Sequence, residues 1–211
     1  MKPKIVFIVF LLSIAVRPVH AQTVSELFVK LPGSEFFTLS VLDRMDLIDM
    51  YKEGEEATLK NFFDDSCSIL RMTDDYIKIK TGINTTELFL LTMINDSKIV
   101  GLIQTVCAPV CDSYIEFYTT NWRKINSSLL ITFAGKYDFL KKGINPEDEN
   151  VKNALIPLDI FLMQLHYDPD KQELQQYYTT PDYLSINDRD KVKSFLNETP
   201  KYFKWNLVRF E

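Results

Sequence analysis

Thr86 to Tyr118, TELFLLTMINDSKIVGLIQTVCAPVCDSYIEFY, constrains this chain more than any other stretch. From Glu87 to Ile94 apolar residues fall on both sides: Phe89, Leu91 and Met93 on one, Leu88, Leu90 and Ile94 on the other. A strand that is apolar on both sides lies inside a sheet covered on both faces. Asn95-Asp96 supplies a hairpin turn, since Asn and Asp tolerate the backbone angles it needs. Lys98 to Val106 returns, with Ile99 and Ile103 on one side and Val100, Leu102 and Val106 on the other. Gly101 in that strand marks a bulge or a close backbone approach. In Asp112 to Tyr118, Ile115 and Phe117 oppose Tyr114, Glu116 and Tyr118, the pattern of a half-exposed strand nearer an edge.

Cys107-Ala108-Pro109-Val110-Cys111 joins the last two strands. A disulfide between Cys107 and Cys111 would fix the turn and the register, and closing so short a loop contributes about 2 kcal/mol in the chain-entropy account. A redox pair is the alternative, although catalytic dithiols usually have two intervening residues. The spacing is unlike the usual zinc patterns. Cys67 reads as a small buried apolar residue, or as a partner for either of the other two.

The disulfide reading depends on compartment. Lys2 and Lys4 precede an apolar run from Ile5 to Val16, too short to span a membrane, and Val19-His20-Ala21 is a small-residue cleavage site. The expectation is a signal peptide over residues 1–21, cleavage between Ala21 and Gln22, and a periplasmic or secreted protein, where disulfides persist. The leader carries three basic residues and no acid, so its removal takes the net charge from −5 to −8. That acidity excludes nucleic-acid binding and anionic membrane surfaces as leading functions. No later stretch reads as a transmembrane segment.

The rest of the chain reads as cover for the meander. Thr23 with Glu26, and Ser40 with Asp43, are capping-box patterns that start two helices. The first must end before Pro32. The second presents Val41, Met45 and Ile48, joined by Leu42 and Leu47, and stops at Gly54. The two helices should pack as a pair on one face of the sheet. Thr58 to Phe63 reads as a helical turn or irregular chain, and Ser66 to Met72 and Tyr76 to Lys80 as short strands. Asn145 to Glu149 is a helix-start composition leading to about Ala154. Asp159 to Tyr167 and Gln172 to Tyr178 read as a strand pair. Ser185 with Asp188 opens a helix through Phe195 and Leu196, and Tyr202 to Phe210 closes as a strand that buries Phe203, Trp205 and Leu207. Two short echoes, Thr73–Ile77 with Thr180–Leu184 and Leu88–Leu91 with Ile160–Met163, raise the reading of two similar halves.

Chemistry-bearing motifs are few. Once the leader is removed, His166 is the single histidine, and a lone histidine is more often structural than catalytic. No Gly-x-Ser-x-Gly signature accompanies it, and six glycines in the chain leave no room for a phosphate loop. Asp46, Asp49, Asp64, Asp65, Asp74, Asp75, Asp182 and Asp188 could supply an acid–base pair, but helix caps, turns and solvated surface account for most of them. Tyr114, Tyr118, Trp122, Tyr167, Tyr177, Tyr178 and Tyr183 form a candidate contact surface, since Tyr and Trp combine large binding area with a polar handle.

Several segments carry a resemblance: Arg44–Asp49, Thr73–Tyr76, the run Val106–Ser113 with its two cysteines, and Thr180-Pro181-Asp182-Tyr183-Leu184-Ser185 with Asp188, Arg189, Lys191 and Val192. Together they resemble a family of small exported Bacteroidales proteins catalogued as a domain of unknown function, family 3256. The resemblance implies export and supplies no catalytic residue.

The sequence therefore predicts a single α+β domain over residues 22–211. It is a mostly antiparallel meander with an N-terminal helix pair and further helices. The expected function is non-enzymatic binding of an envelope protein or ligand, with no catalytic, metal or cofactor residue assigned. The alternatives are a small hydrolase using paired carboxylates and a thiol–disulfide redox protein.

Overall fold

Thr23 starts the first helix by accepting the backbone N–H of Glu26 on its hydroxyl. The computed structural model describes residues 22–36 and 38–211, so the expected signal peptide lies outside the described residues. Helix α1 is Val24–Val29 and α2 is Val41–Lys52. At the start of α2 the Ser40 hydroxyl accepts from Asp43 N at 3.1 Å, and the Asp43 carboxylate accepts from Ser40 N at 3.0 Å. The face α2 buries is only in part the expected one: Leu47 and Ile48 are inside as expected. Arg44 is inside with them, while Val41, Leu42 and Met45 are exposed. The guanidinium of Arg44 donates to the carbonyls of Phe28 and Leu31 at 2.9 and 2.7 Å, which ties α2 to the C-terminal end of α1 and rotates the helix.

Seven strands follow in sequence order as one antiparallel sheet: β1 (Thr58–Lys60), β2 (Ser66–Met72), β3 (Tyr76–Thr81), β4 (Asn84–Thr92), β5 (Lys98–Cys107), β6 (Cys111–Thr119) and β7 (Lys124–Ile125). The first of them replaces the expected irregular turn: Leu59 sits opposite Cys67 as an edge strand. The central strands alternate as expected. Ile77, Ile79, Leu88, Leu90, Val100 and Leu102 face the two helices. Phe89, Leu91, Ile99, Ile103, Ile115 and Phe117 face the other way.

That second face is covered by another sheet, built from β8 (Met163–Asp168), β9 (Glu173–Tyr178) and β10 (Lys201–Lys204), with β9 in the middle. Leu165, Tyr167 and Leu174 close the core from this side, with Phe210. The expected C-terminal strand over Tyr202–Phe210 is shorter. Asn206 Oδ1 accepts from the N–H groups of Val208 and Arg209, reversing the chain and leaving Leu207 exposed. Phe210 then returns to the core beside Trp205.

Three short helices, α3 (Glu149–Leu155), α4 (Thr180–Tyr183) and α5 (Ile186–Lys193), complete the α+β fold. The first begins one turn later than expected because Asp148, rather than Asn145, caps it. The two echoed segments differ in structure. Thr73–Ile77 is a turn entering a strand, whereas Thr180–Tyr183 is helical. No helix among the described residues is long and apolar enough to cross a membrane.

Candidate functional site

Glu87 lies on the face of β4 that meets the second sheet, in line with Phe89 and Leu91, and is 2% exposed. A carboxylate so buried needs a full set of donors, and four residues on two strands, β3 and β8, supply them. Nζ of Lys78 on β3 is 2.9 Å from Oε1. The hydroxyl of Tyr76 donates to Oε2 at 3.0 Å, and so does the backbone N–H of Tyr167. His166 Nδ1 lies 2.9 and 3.0 Å from the two oxygens. Burial works against the charge, but His166 and Lys78 outweigh it and hold the carboxyl below its ordinary value. Burial and the facing carboxylate push the Tyr76 phenol up.

Glu87 belongs to a wider pattern. β8 is an edge strand, and an open edge is a template for unwanted pairing. Its outward N–H groups are each taken by a side chain of the large sheet: Met163 by Asp112 at 3.2 Å, Leu165 by Ser113 at 3.0 Å, Tyr167 by Glu87 at 3.0 Å. Because these acceptors sit on β6 and β4, β8 runs across the strands below it. Sequence reasoning missed Glu87. The signal that could have found it is an acid in register with Phe89 and Leu91 on a buried face, in a chain whose one histidine beyond the expected leader, His166, is there to meet it.

At the far end of this seam the chain forms a concavity of about 300 Å³. Tyr177 and Tyr178 from β9, Gln164 from β8, Asp182 from α4, and Asn197 and Glu198 after α5 line it. Tyr178 is held between the rings of Phe139 and Phe161, at centroid distances of 5.2 and 5.0 Å. Tyr177 is more open and donates from its hydroxyl to Gln175 Oε1 at 2.8 Å. The floor is fixed from below: the Thr179 hydroxyl donates to the carbonyl of Cys111 at 2.7 Å. Cys111 is joined to Cys107 across the β5–β6 hairpin. Arg189 donates to the carbonyls of Pro181 and Asp182 at 3.1 and 2.6 Å, holding α4 against α5.

A second concavity, about 510 Å³, opens between the two sheets and is lined by Asp74, Asp75, Tyr167, Asp170 and Trp205 among others. Of the eight aspartates considered from sequence, it gathers Asp74 and Asp75. Asp75 pairs with Lys98 at 2.6 Å and Asp170 with Arg71 at 2.7 Å, and both aspartates are largely exposed. Among the described residues no group of three or more His, Cys, Asp and Glu side chains is arranged to hold a metal ion.

The seven aromatic residues proposed as a contact surface do not form one surface. Tyr118 and Tyr167 are buried on opposite faces of the large sheet, so neither can serve as a contact. The reason is the alternation of the strands. Tyr118 points from β6 toward the helices and packs on Trp122, while Tyr167 stacks on Phe89 at 3.9 Å. Tyr114 is exposed on the helix side, where Glu116 accepts from Tyr118 and Lys124. Tyr177 and Tyr178 remain together in the concavity, and Tyr183 is exposed on α4, next in sequence to Asp182 of its lining. Tyr202, 53% exposed on β10 and on the same face as Tyr177, joins them and was not anticipated. Cys67 is fully buried, bonded to Thr81 Oγ1 at 3.2 Å, and burial pushes its thiol up.

Comparison with known proteins adds a family and a fold. The family described as "Protein of unknown function (DUF3256)" matches residues 16–210. A solved structure of a domain of an uncharacterized protein from Porphyromonas gingivalis W83 is similar to this chain at 21% identity, with a TM-score of 0.80, over 90% of this chain and 99% of that one. Among curated proteins none matches.

Proposed function

This chain belongs to the DUF3256 family of proteins of unknown function, and from its own geometry we propose that it is a non-enzymatic ligand-binding protein of the cell envelope. Its site is the concavity at Tyr177 and Tyr178. The observation that carries this reading is the contrast between a braced wall and open polar groups. Tyr178 is clamped between two rings and Thr179 is tied to the disulfide hairpin. Gln164, by contrast, makes no side-chain hydrogen bond among the described residues, although it is half-buried in the same wall. A preformed concavity with a few uncommitted polar groups is the usual form of a small-ligand site. An exported location follows from the sequence reading of the leader and is part of the proposal. Equilibrium binding of fractionated envelope extract to the protein tests it. Binding should saturate and fall at least ~10-fold in Tyr177→Ala, while Tyr114→Ala, on the opposite side of the sheet, leaves it unchanged. Equal loss in both variants would contradict the assignment.

The inter-sheet cleft favours a second reading, hydrolysis by paired carboxylates, because it brings Asp74, Asp75 and Asp170 into one concavity. An acid–base pair needs one carboxyl kept protonated by burial or by an unneutralised neighbour. Asp75 and Asp170 are open to solvent and engaged by cations, which is why binding stands first. Turnover of any glycoside or ester substrate that disappears in Asp74→Asn would reverse the order.

A further inference from the structure

We propose that the ligand of the Tyr177 concavity is a neutral saccharide, taken one sugar ring at a time; the inference rests on the binding reading above. Charge comes first. The acids at the rim are already matched: Glu198 lies 3.3 Å from Lys193 Nζ, and Asp182 lies 3.7 Å from Arg189 Nη1. No cation in the lining is left over for an anionic ligand, and no carboxylate without a cation nearby is left for a cationic one. A neutral ligand meets no unpaired charge.

The uncommitted groups are two amides and, behind them, the buried Tyr178 hydroxyl, which has no hydrogen-bond partner among the described residues. Gln164 offers both its carbonyl and its NH2. Asn197 spends its carbonyl oxygen on Thr199, at 3.1 Å from the backbone N–H and 2.6 Å from the hydroxyl, so its NH2 faces outward as a donor. Planar amides that donate and accept side by side suit neighbouring hydroxyls, each of which can do both. An apolar ligand would leave these amides dehydrated and unpaired, which is costly.

The aromatic contribution is a face rather than a slot. Both sides of Tyr178 are already covered by Phe139 and Phe161, so it serves as a wall. Tyr177 is 36% exposed and is steadied by its bond to Gln175, which leaves a fixed ring face beside the amides. A pyranose presents C–H groups on one face and hydroxyls around its edge, and an amphipathic ring with polar neighbours complements that distribution. At about 300 Å³ the concavity stands at the lower end of small-ligand sites. That size fits a single ring with its neighbours projecting into solvent past Tyr183 and Tyr202.

The test is isothermal titration of the purified protein with a panel of neutral oligosaccharides built from glucose, galactose, mannose and N-acetylglucosamine. The expected result is saturable binding of at least one of them, weakened ~10-fold or more by Tyr177→Ala and by Gln164→Ala. Tyr177→Phe, which keeps the ring, should retain it within about threefold. Circular dichroism and melting temperature of each variant separate lost binding from lost folding. If no neutral saccharide binds but a charged peptide or lipid fraction does, and Tyr177→Ala weakens it, the saccharide assignment is overturned while the site stands. If saccharides bind equally to wild type and both alanine variants, the site is overturned. If nothing in either set binds, both fall.

Discussion

His166 Nδ1 lies 2.9 and 3.0 Å from the two oxygens of Glu87, and this pair joins the second sheet to the first. Glu87, on β4, is the shared acceptor for groups on β3 and β8, so its loss unpairs more groups than the loss of any one partner. Glu87→Ala leaves the buried Tyr76 hydroxyl and Tyr167 N–H without acceptors and should cost about 3 kcal/mol. His166→Ala leaves Lys78, Tyr76 and Tyr167 in place and should cost about 1 kcal/mol. Urea unfolding of the two variants gives the order; a larger effect at His166 would show that the histidine, not the carboxylate, carries the seam.

The same carboxylate sets an acid limit. Glu87 is held below its ordinary value of 4.5 in the folded protein. As pH falls through 4.5 the unfolded chain takes up this proton while the folded one does not, so stability declines and the contribution is gone below the folded value. Wild type should therefore lose stability from about pH 4.5 downward. Glu87→Gln should be less stable at neutral pH and lose less over that interval. Parallel pH profiles for the two proteins would refute the assignment.

Gly101 is the place where the meander cannot take a side chain. A Cβ there would stand 2.3 Å from Cζ of Phe89, whose ring lies across the glycine and stacks on Tyr167. The ring is fully buried and cannot move aside. Gly101→Ala should cost about 2–3 kcal/mol as an overpacked core site. Adding Phe89→Leu should return part of that loss, a coupling a double-mutant cycle would read. Full additivity would mean that the ring does not impose the glycine.

Arg44 is a buried cation bonded to carbonyls, with no carboxylate paired to it among the described residues, and burial lowers its affinity for the proton. Its planar fork reaches Phe28 and Leu31 together, which a lysine would do poorly. Arg44→Lys should cost about 1–2 kcal/mol and Arg44→Ala about 2–3 kcal/mol. Faster amide exchange in α1, with the large sheet unaffected, is the accompanying signature.

These sites also mark what could be read from the sequence. The meander from Ser66 to Tyr118 was legible because its central strands are apolar on both faces, its edge strand alternates, and its turns carry Asn, Asp and Pro, so pattern and turn chemistry agree. The helix caps at Thr23 and Ser40 were legible for the same local reason, although the reciprocal box forms at Ser40 and only its first half at Thr23. The face of α2 was legible only at Leu47 and Ile48, since a buried arginine satisfied by the end of another helix inverts the rule that charges point outward. The C-terminal strand failed at Asn206, whose side chain bonds its own backbone and outcompetes the ladder. The candidate surface was half legible. Composition flagged the tyrosines, but only the crossing of β8 over the large sheet decides that Tyr167 is core and Tyr177 is rim. Glu87 and Gln164 depend on contacts between residues far apart in sequence, which no local pattern encodes.

The side-chain amides of Gln164 and Asn197 report on the central claim without any mutation. Their NH2 signals can be followed by two-dimensional NMR as neutral oligosaccharide is added. The account predicts that both shift together and saturate at one midpoint, while the amides of the helix-side residues stay still. Shifts confined to the inter-sheet cleft around Asp74 and Trp205, with Gln164 and Asn197 unmoved at saturation, would contradict it.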